Sequence, residues 1–195
     1  MKKNNYRDDI TGEELRDYPV GGYEGENTVV DNSEDLDVII HDIIKSGIVG
    51  FDTETKPSFR KGDRNRVALL QLSNEKRVYL FRLHLMGLPD LLKRVLEDPG
   101  LLKVGVAIHD DVKGLKKLSS FKPAGFVELQ ELVGDYGIKS AGLKKLAAII
   151  LGFRISKRQQ ISNWESPVLT DAQISYAATD AWVCHQIYME LIRKR

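Results

Sequence analysis

The sequence has little of several features that mark particular classes of protein. Cys184 is its one cysteine among 195 residues. This excludes an internal disulfide and a zinc site built from cysteines, and it favours a reducing compartment. Basic and acidic residues number 29 and 28, and the formal net charge is +1. Composition alone therefore gives no argument for nucleic-acid binding, and any basic surface must be local.

Long apolar segments are also missing. The longest apolar run, LAAIILGF from Leu146, is far shorter than the ~18 residues typical of a membrane span. The first ten residues contain two lysines but no apolar run behind them, unlike a secretory signal. We therefore expect a cytoplasmic protein without a membrane partner.

The sequence that is present indicates one domain preceded by a polar segment. Residues 1–27 are rich in glycine, asparagine and acidic residues, and little in them is suited to a core. We expect them to form an N-terminal arm that lies on, or leads into, a domain over 28–195. Thr11 and Glu14 have the spacing of a capping box and predict a short helix within the arm.

Hydrophobic periodicity predicts an α/β domain. Strands are predicted over 48–52, 67–73, 77–81, 103–108 and at GFVEL (125–129), and the second and third form a hairpin. Helices are predicted from Ser33, as N-cap, to Gly47, and over 88–98, 109–118, 129–136, 142–151 and 171–193. Strands that first pair in a hairpin and then alternate with helices indicate a mixed central β-sheet flanked by α-helices.

Two acids lie where a buried strand is predicted to end. In GIVGFDTET, Asp52 and Glu54 are two residues apart, so in a strand their side chains project to the same face. Two carboxylates held close together repel, and a bound cation removes that conflict. A D-x-E pattern alone also allows the alternative that the strand ends at Phe51 and both acids lie in a solvated loop.

A second acidic pair occurs in VGVAIHDDVKGL. Asp110 and Asp111 stand at the predicted start of a helix, where acids commonly serve as caps. They also follow the exit of a strand, which is where α/β sheets place functional groups. Both interpretations stay open for either aspartate considered alone.

The helix predicted over 171–193 carries a fourth acid on its apolar side. At helical spacing Asp180 shares a stripe with Tyr176, Val183 and Ile187, and Tyr176 is its neighbour one turn earlier. An unpaired buried carboxylate is costly, so Asp180 requires a cation, a hydrogen-bond partner or a raised pKa. The polar sector on the other side consists of Ser175, Thr179, Trp182 and Gln186.

Together these motifs resemble the DEDD superfamily of 3′-5′ exonucleases, which has a ribonuclease-H-like fold. FDTET is similar to the first motif, VGVAIHDDVKGL to the second, with Asp111 rather than Asp110 in register, and YAATD to the third. The histidine branch has histidine where this chain has Ser175, so the likeness is to the tyrosine branch. VALLQLS, GLKKLAAIILG and SNWESPVLTDAQ resemble the group of ribonuclease D and the Werner syndrome helicase exonuclease domain.

This resemblance implies a metal-dependent 3′-5′ exonuclease with two divalent cations, Mg²⁺ or Mn²⁺. Asp52 would bridge both ions, Glu54 and Asp180 would complete the site of the attacking water, and Asp111 would hold the second ion. Tyr176 would orient that water. The products would be nucleoside 5′-monophosphates released from a DNA or RNA strand with a free 3′ end.

An exonuclease needs contacts to the backbone near that end rather than base readout. Basic residues in the loop after the acidic strand and in ISKRQQISNW are candidates, and the alternative for each is a solvated loop charge. An aromatic ring, Phe59 or Trp164, would stack on a base, although Trp164 is equally suited to packing. The candidate nucleic-acid-binding residues are Arg60, Lys61, Arg64, Arg66, Lys157, Arg158 and Trp164.

Two other functions stay open at this point. One is a catalytically silent nucleic-acid-binding module on the same fold, which the loss of one acid would favour, although all four acids and the tyrosine are present. The other is a structural protein with incidental acids, which does not account for Asp180 on an apolar stripe.

Overall fold

A computed structural model of the chain describes residues 6–57 and 65–194. The strands are β1 (Glu26–Val30), β2 (Ile48–Thr55), β3 (Val67–Ser73), β4 (Arg77–Phe81), β5 (Leu102–Gly105) and β6 (Phe126–Glu128). The α-helices are α1 (Leu36–Ser46), α2 (Leu83–Met86), α3 (Asp90–Glu97), α4 (Ile108–Leu115), α5 (Leu129–Leu132), α6 (Leu143–Leu146) and α7 (Asp171–Arg193). Across these described ranges no helix combines the length and apolar character needed to cross a membrane.

The six strands form one mixed sheet in the order β1-β4-β3-β2-β5-β6. β3 pairs antiparallel with both β2 and β4, and the remaining neighbours pair parallel. Every residue of β3 is buried, as a central strand covered on both faces requires. The predicted mixed sheet, its flanking helices and the hairpin of β3 and β4 are confirmed.

The acidic strand is longer than its sequence pattern indicated. β2 continues to Thr55 because its last residues pair with β3, with Asp52 opposite Gln71 and Glu54 opposite Leu69. Both acids therefore lie within the strand, and the alternative of a solvated loop is wrong.

Further element boundaries differ from the predictions, and β1 and α2 were not predicted. β5 ends at Gly105 because Ala107 has φ 60° and α4 begins directly after it. α1 begins only at Leu36, and its N-cap is Asp35 rather than Ser33. Short turns continue two helices, as 3₁₀ over Val133–Tyr136 and as π over Ala147–Leu151. The predicted helix over 171–193 is confirmed at both ends.

The N-terminal arm packs onto α7. Its predicted capping box is present, since the backbone N–H groups of Thr11 and Glu14 each donate to the other's side chain, at 2.8 and 3.2 Å. Ile10 is buried, so the arm contributes more to the core than its composition indicated. The backbone N–H of Tyr23 donates to Thr179 Oγ1 at 3.0 Å. The arm thus covers Thr179, a member of the polar sector of α7, and the boundary between arm and domain stays a prediction.

The two faces of β2 pack against different layers. Val49 and Phe51 belong to the apolar cluster under α1 and α3. Gly50, on the opposite face, lies against α7, where a methyl group at position 50 would overlap the carbonyl oxygen of Ala181 and lie 2.8 Å from the backbone nitrogen of His185. Glycine at this position therefore allows β2 and α7 to touch through their backbones.

We predict that Gly50→Ala lowers the free energy of unfolding by ~3 kcal/mol or more, because no rotatable side chain can move aside. Gly134→Ala is the matched control, since the space around Gly134 is open to 4 Å. It is expected to change stability by less than ~1 kcal/mol. Urea denaturation of both variants gives the comparison, and equal stability of the two would contradict the close approach.

Candidate functional site

Three carboxylates meet where β2 and α7 touch. Asp52 and Glu54 project from the α7 side of β2, and Asp180 is the residue before Ala181 on α7. One oxygen of each carboxylate lies within 4.8 Å of an oxygen of the other two. The structure therefore brings together three of the four predicted acids, from segments more than a hundred residues apart in the sequence.

Burial and mutual repulsion shift the titration of this cluster. Burial, followed by the charges of Asp180 and Asp111, raises the pKa of Asp52 well above its ordinary value. The same causes raise the pKa of Glu54 to about 9. Burial raises the pKa of Asp180 to about 7, although the hydrogen bond from the Tyr176 hydroxyl and the positive charge of Lys157 lower it. Without a compensating positive charge, the cluster resists full ionisation.

The donor set suits a divalent cation. Asp180 is 7% exposed, and its Oδ1 atom has no hydrogen-bond partner among the described residues. An orphaned buried carboxylate oxygen beside two further carboxylates is a costly arrangement that a cation would satisfy. Ligands made only of carboxylate oxygens are those that Mg²⁺ and Mn²⁺ prefer.

Tyr176 lies one helical turn before Asp180 and is buried beside the cluster. Burial, followed by the charges of Asp180 and Glu54, raises the pKa of its hydroxyl far above the ordinary value. The hydroxyl therefore stays protonated, which suits hydrogen bonding to a bound water and not proton abstraction.

Asp111 is not among the three acids whose oxygens lie within 4.8 Å of one another, but its charge is close enough to raise the pKa of Asp52 and Glu54. Its Oδ1 accepts a hydrogen bond of 2.6 Å from the hydroxyl of Thr53, which lies between the two acids in β2. Burial raises the pKa of Asp111 to about 6, while the hydrogen bond from Thr53 lowers it. Asp110 is exposed, so Asp111 is the acid directed toward β2.

The start of α4 is fixed by a residue that the sequence analysis did not single out. The Glu128 carboxylate accepts hydrogen bonds from the backbone N–H groups of Ala107 and Ile108, at 3.1 and 2.9 Å. It thereby holds the left-handed turn at Ala107 that directs α4 and Asp111. The sequence held one signal for this role. Glu128 lies near the end of the strand predicted within GFVEL, and that strand pairs parallel with β5.

A cavity of about 370 Å³ opens at the cluster, and Lys157 is among the residues lining it. Arg66 and Arg158 are exposed but do not line this cavity. Trp164 is fully buried, and its ring centroid lies 6.0 Å from that of Tyr176. The prediction that Trp164 contacts nucleic acid is wrong, because its ring packs beneath Tyr176. The other candidates, Phe59, Arg60, Lys61 and Arg64, lie outside the described residues.

We predict that Asp180→Asn stabilises the protein when divalent cations are absent, because it removes one charge from a buried repulsive cluster. At pH 8 the melting temperature should rise by ~2–4 °C, as for a gain of ~1 kcal/mol. Mn²⁺ should raise the melting temperature of the unsubstituted protein but not of the variant. Asp110→Asn, at an exposed acid, is the control, and a destabilised Asp180→Asn protein would contradict the repulsion.

Thr53→Val should lower the free energy of unfolding by ~1–3 kcal/mol, because a partly buried carboxylate loses its donor. Thr53→Ser keeps the hydroxyl and should restore most of that loss. The Mn²⁺ concentration that gives half of the thermal shift should rise for the valine variant only. Indistinguishable valine and serine variants would show that the hydrogen bond to Asp111 has no role.

Residues 27–194 match the family model described as 3′-5′ exonuclease. The chain is 37% identical over 166 residues to the mouse protein described as bifunctional 3′-5′ exonuclease/ATP-dependent helicase WRN. It is also 37% identical over 150 residues to exonuclease 3′-5′ domain-containing protein 2 of Drosophila melanogaster. These matches include 82% and 75% of this chain but only 12% and 25% of the two relatives.

Solved structures show the same fold. The Nibbler EXO domain of Aedes aegypti superposes with a TM-score of 0.78 at 24% identity, over 90% of this chain and 92% of that one. Escherichia coli RNase D gives a TM-score of 0.78 at 20% identity, over 87% of this chain and 45% of that one. The neighbours confirm a ribonuclease-H-like exonuclease fold, and the match over 27–194 establishes that the chain belongs to the 3′-5′ exonuclease family.

Proposed function

We propose that this domain hydrolyses phosphodiester bonds of DNA or RNA from the 3′ end and releases nucleoside 5′-monophosphates. The observation that carries the proposal is the carboxylate cluster of Asp52, Glu54 and Asp180, with its orphaned Asp180 oxygen, in a chain of the exonuclease family. A cavity beside the cluster provides the space for a nucleotide.

The family is metal-dependent, and we propose two ions, Mg²⁺ or Mn²⁺, in this chain. Asp52, Glu54 and Asp180 would hold one, and Asp111 would serve the other with Asp52. Such ions supply an activated water and charge stabilisation for the leaving oxygen. Removing them with EDTA should abolish activity.

The chain's own residues would orient the reactants. The protonated Tyr176 hydroxyl would position the attacking water by a hydrogen bond. Lys157, which lines the cavity and lowers the pKa of Asp180, would offset negative charge on the phosphodiester. Burial of the cluster strengthens both effects, because electrostatic interactions weaken less where water is excluded.

The proposed substrate is a nucleic acid with a free 3′ end, and two structural neighbours support its being a nucleic acid. One structural neighbour is the Trypanosoma brucei RNase D complex with RNA U12, and another is Brucella melitensis NrnC bound to pGG. We propose a cytoplasmic location on the evidence of cysteine content, since one buried cysteine suits a reducing compartment.

The test is a cleavage assay on 5′-labelled single-stranded and 3′-recessed DNA, and on the matching RNA, with Mg²⁺ or Mn²⁺. We expect a ladder of 3′-shortened products that disappears with EDTA and in Asp52→Asn. A substrate blocked at its 3′ end should resist cleavage. Binding without shortening would support the silent nucleic-acid-binding module instead.

Tyr176→Phe separates the positioning of water from the fold. The ring contact with Trp164 is retained and only the hydrogen bond to Asp180 is lost, so the melting temperature should fall by a few degrees at most and the Mn²⁺ shift should persist. The turnover number should fall about 100-fold, because the attacking water loses its oriented hydrogen bond. An unchanged turnover number would exclude the tyrosine from the reaction.

A further inference from the structure

A second cavity adjoins the carboxylate cluster. It has a volume of about 520 Å³ and lies between the end of β2 and the exposed side of α4. Thr53 lines both this cavity and the one at the cluster, so the two share a wall beside Asp111. We name it the α4 groove; its polar lining residues include Thr53, Lys56, Asn65, Asp110, Asp111, Lys113 and Lys117.

The groove presents two cations that are free to bind an anion. Lys113 and Lys117 are exposed, line the groove and form no ion pair with a described residue. They are four residues apart on α4 and the turn that continues it, which places them on one side of the helix. Lys56, by contrast, is paired with Glu165 at 3.2 Å.

The acids of the groove do not neutralise these lysines. Asp111 accepts its hydrogen bond from Thr53, and Asp110 is exposed without a paired lysine in the described part of the chain. The groove's described lining residues offer three ammonium groups, an amide, two hydroxyls and the carboxylates of Asp110 and Asp111, with no aromatic ring. This chemistry suits phosphates and not stacked bases, and lysine acts as a point charge without reading sequence.

We propose that the α4 groove binds the phosphodiester backbone of the strand adjoining the scissile bond, with Lys113 and Lys117 as phosphate contacts. This inference rests on the proposed function, because it takes the carboxylate cluster as the place of cleavage. A strand bound at the cluster would continue past Thr53 into the groove. Two lysines one helical turn apart would then meet successive phosphates of one strand.

Binding is measured without cleavage, by fluorescence anisotropy of 5′-labelled 12-mer DNA and RNA in EDTA. The double variant K113Q/K117Q should raise Kd about tenfold at 100 mM salt. It should also make the dependence of log K on log salt less steep by ~1.4, as expected for the loss of two phosphate contacts to a single strand. Lys116→Gln is the matched control, because Lys116 is exposed beside them but does not line the groove. K113R/K117R should restore binding.

An equal loss of affinity in Lys116→Gln, or an unchanged Kd in the double variant, would overturn the inference. A loss confined to DNA or to RNA would identify which backbone the groove binds.

Turnover distinguishes this inference from the proposed function. Thymidine 5′-p-nitrophenyl phosphate is too short to occupy both cavities, so K113Q/K117Q should hydrolyse it at the unsubstituted rate. For the 12-mer, KM should rise about tenfold while kcat stays within about twofold. If the unsubstituted protein cleaves nothing but its binding depends on the two lysines, the proposed function fails and the groove stands. If cleavage occurs and KM does not change, the groove alone fails.

Discussion

The backbone contact between β2 and α7 is the constraint on which the site depends. Gly50 allows α7 to lie directly on the strand at Ala181. Asp52 follows Gly50 by two residues on the same face, and Asp180 precedes Ala181 by one. The contact therefore fixes how closely the carboxylates approach. A larger residue at position 50 would push α7 away from β2 and so increase the distance between Asp52 and Asp180, although neither acid is itself substituted.

Keeping these carboxylates together requires support from elsewhere in the fold. α7 crosses the sheet, with Ala177 packed over β3 and β4 and Ile187 packed near Val104 of β5. The N-terminal arm then covers its remaining side at Thr179. This burial on nearly every side holds the helix against the repulsion that it carries to β2. The packing around α7 thus compensates for the free-energy cost of holding the carboxylates together.

Local patterns predicted much of this structure, whereas contacts between distant segments lay beyond them. Period-two and helical spacing predicted β2 to β6, the hairpin and both ends of α7, but not β1. The inward stripe predicted the burial of Asp180. The prediction for Trp164 was wrong because the residue lies in a loop, where no periodicity shows whether a ring is buried or exposed. The two hydrogen bonds that Glu128 accepts join the end of β6 to the start of α4, and these segments are about twenty residues apart in the sequence. Lys113 has the pattern of any solvated helix residue. The roles of these residues depend on strand register and on how loops pack, which local patterns do not show.

The repulsion within the carboxylate cluster has a consequence beyond the reaction itself. A protein whose folded state gains a ligand that its unfolded state lacks is opened less often, so proteases find fewer cleavable molecules. If the cluster binds divalent cations as proposed, the lifetime of this chain in a cell should follow their supply. The oxygen of Asp180 that has no hydrogen-bond partner among the described residues lies in the buried part of the fold, so a bound cation would stabilise the fold as well as serve the proposed reaction.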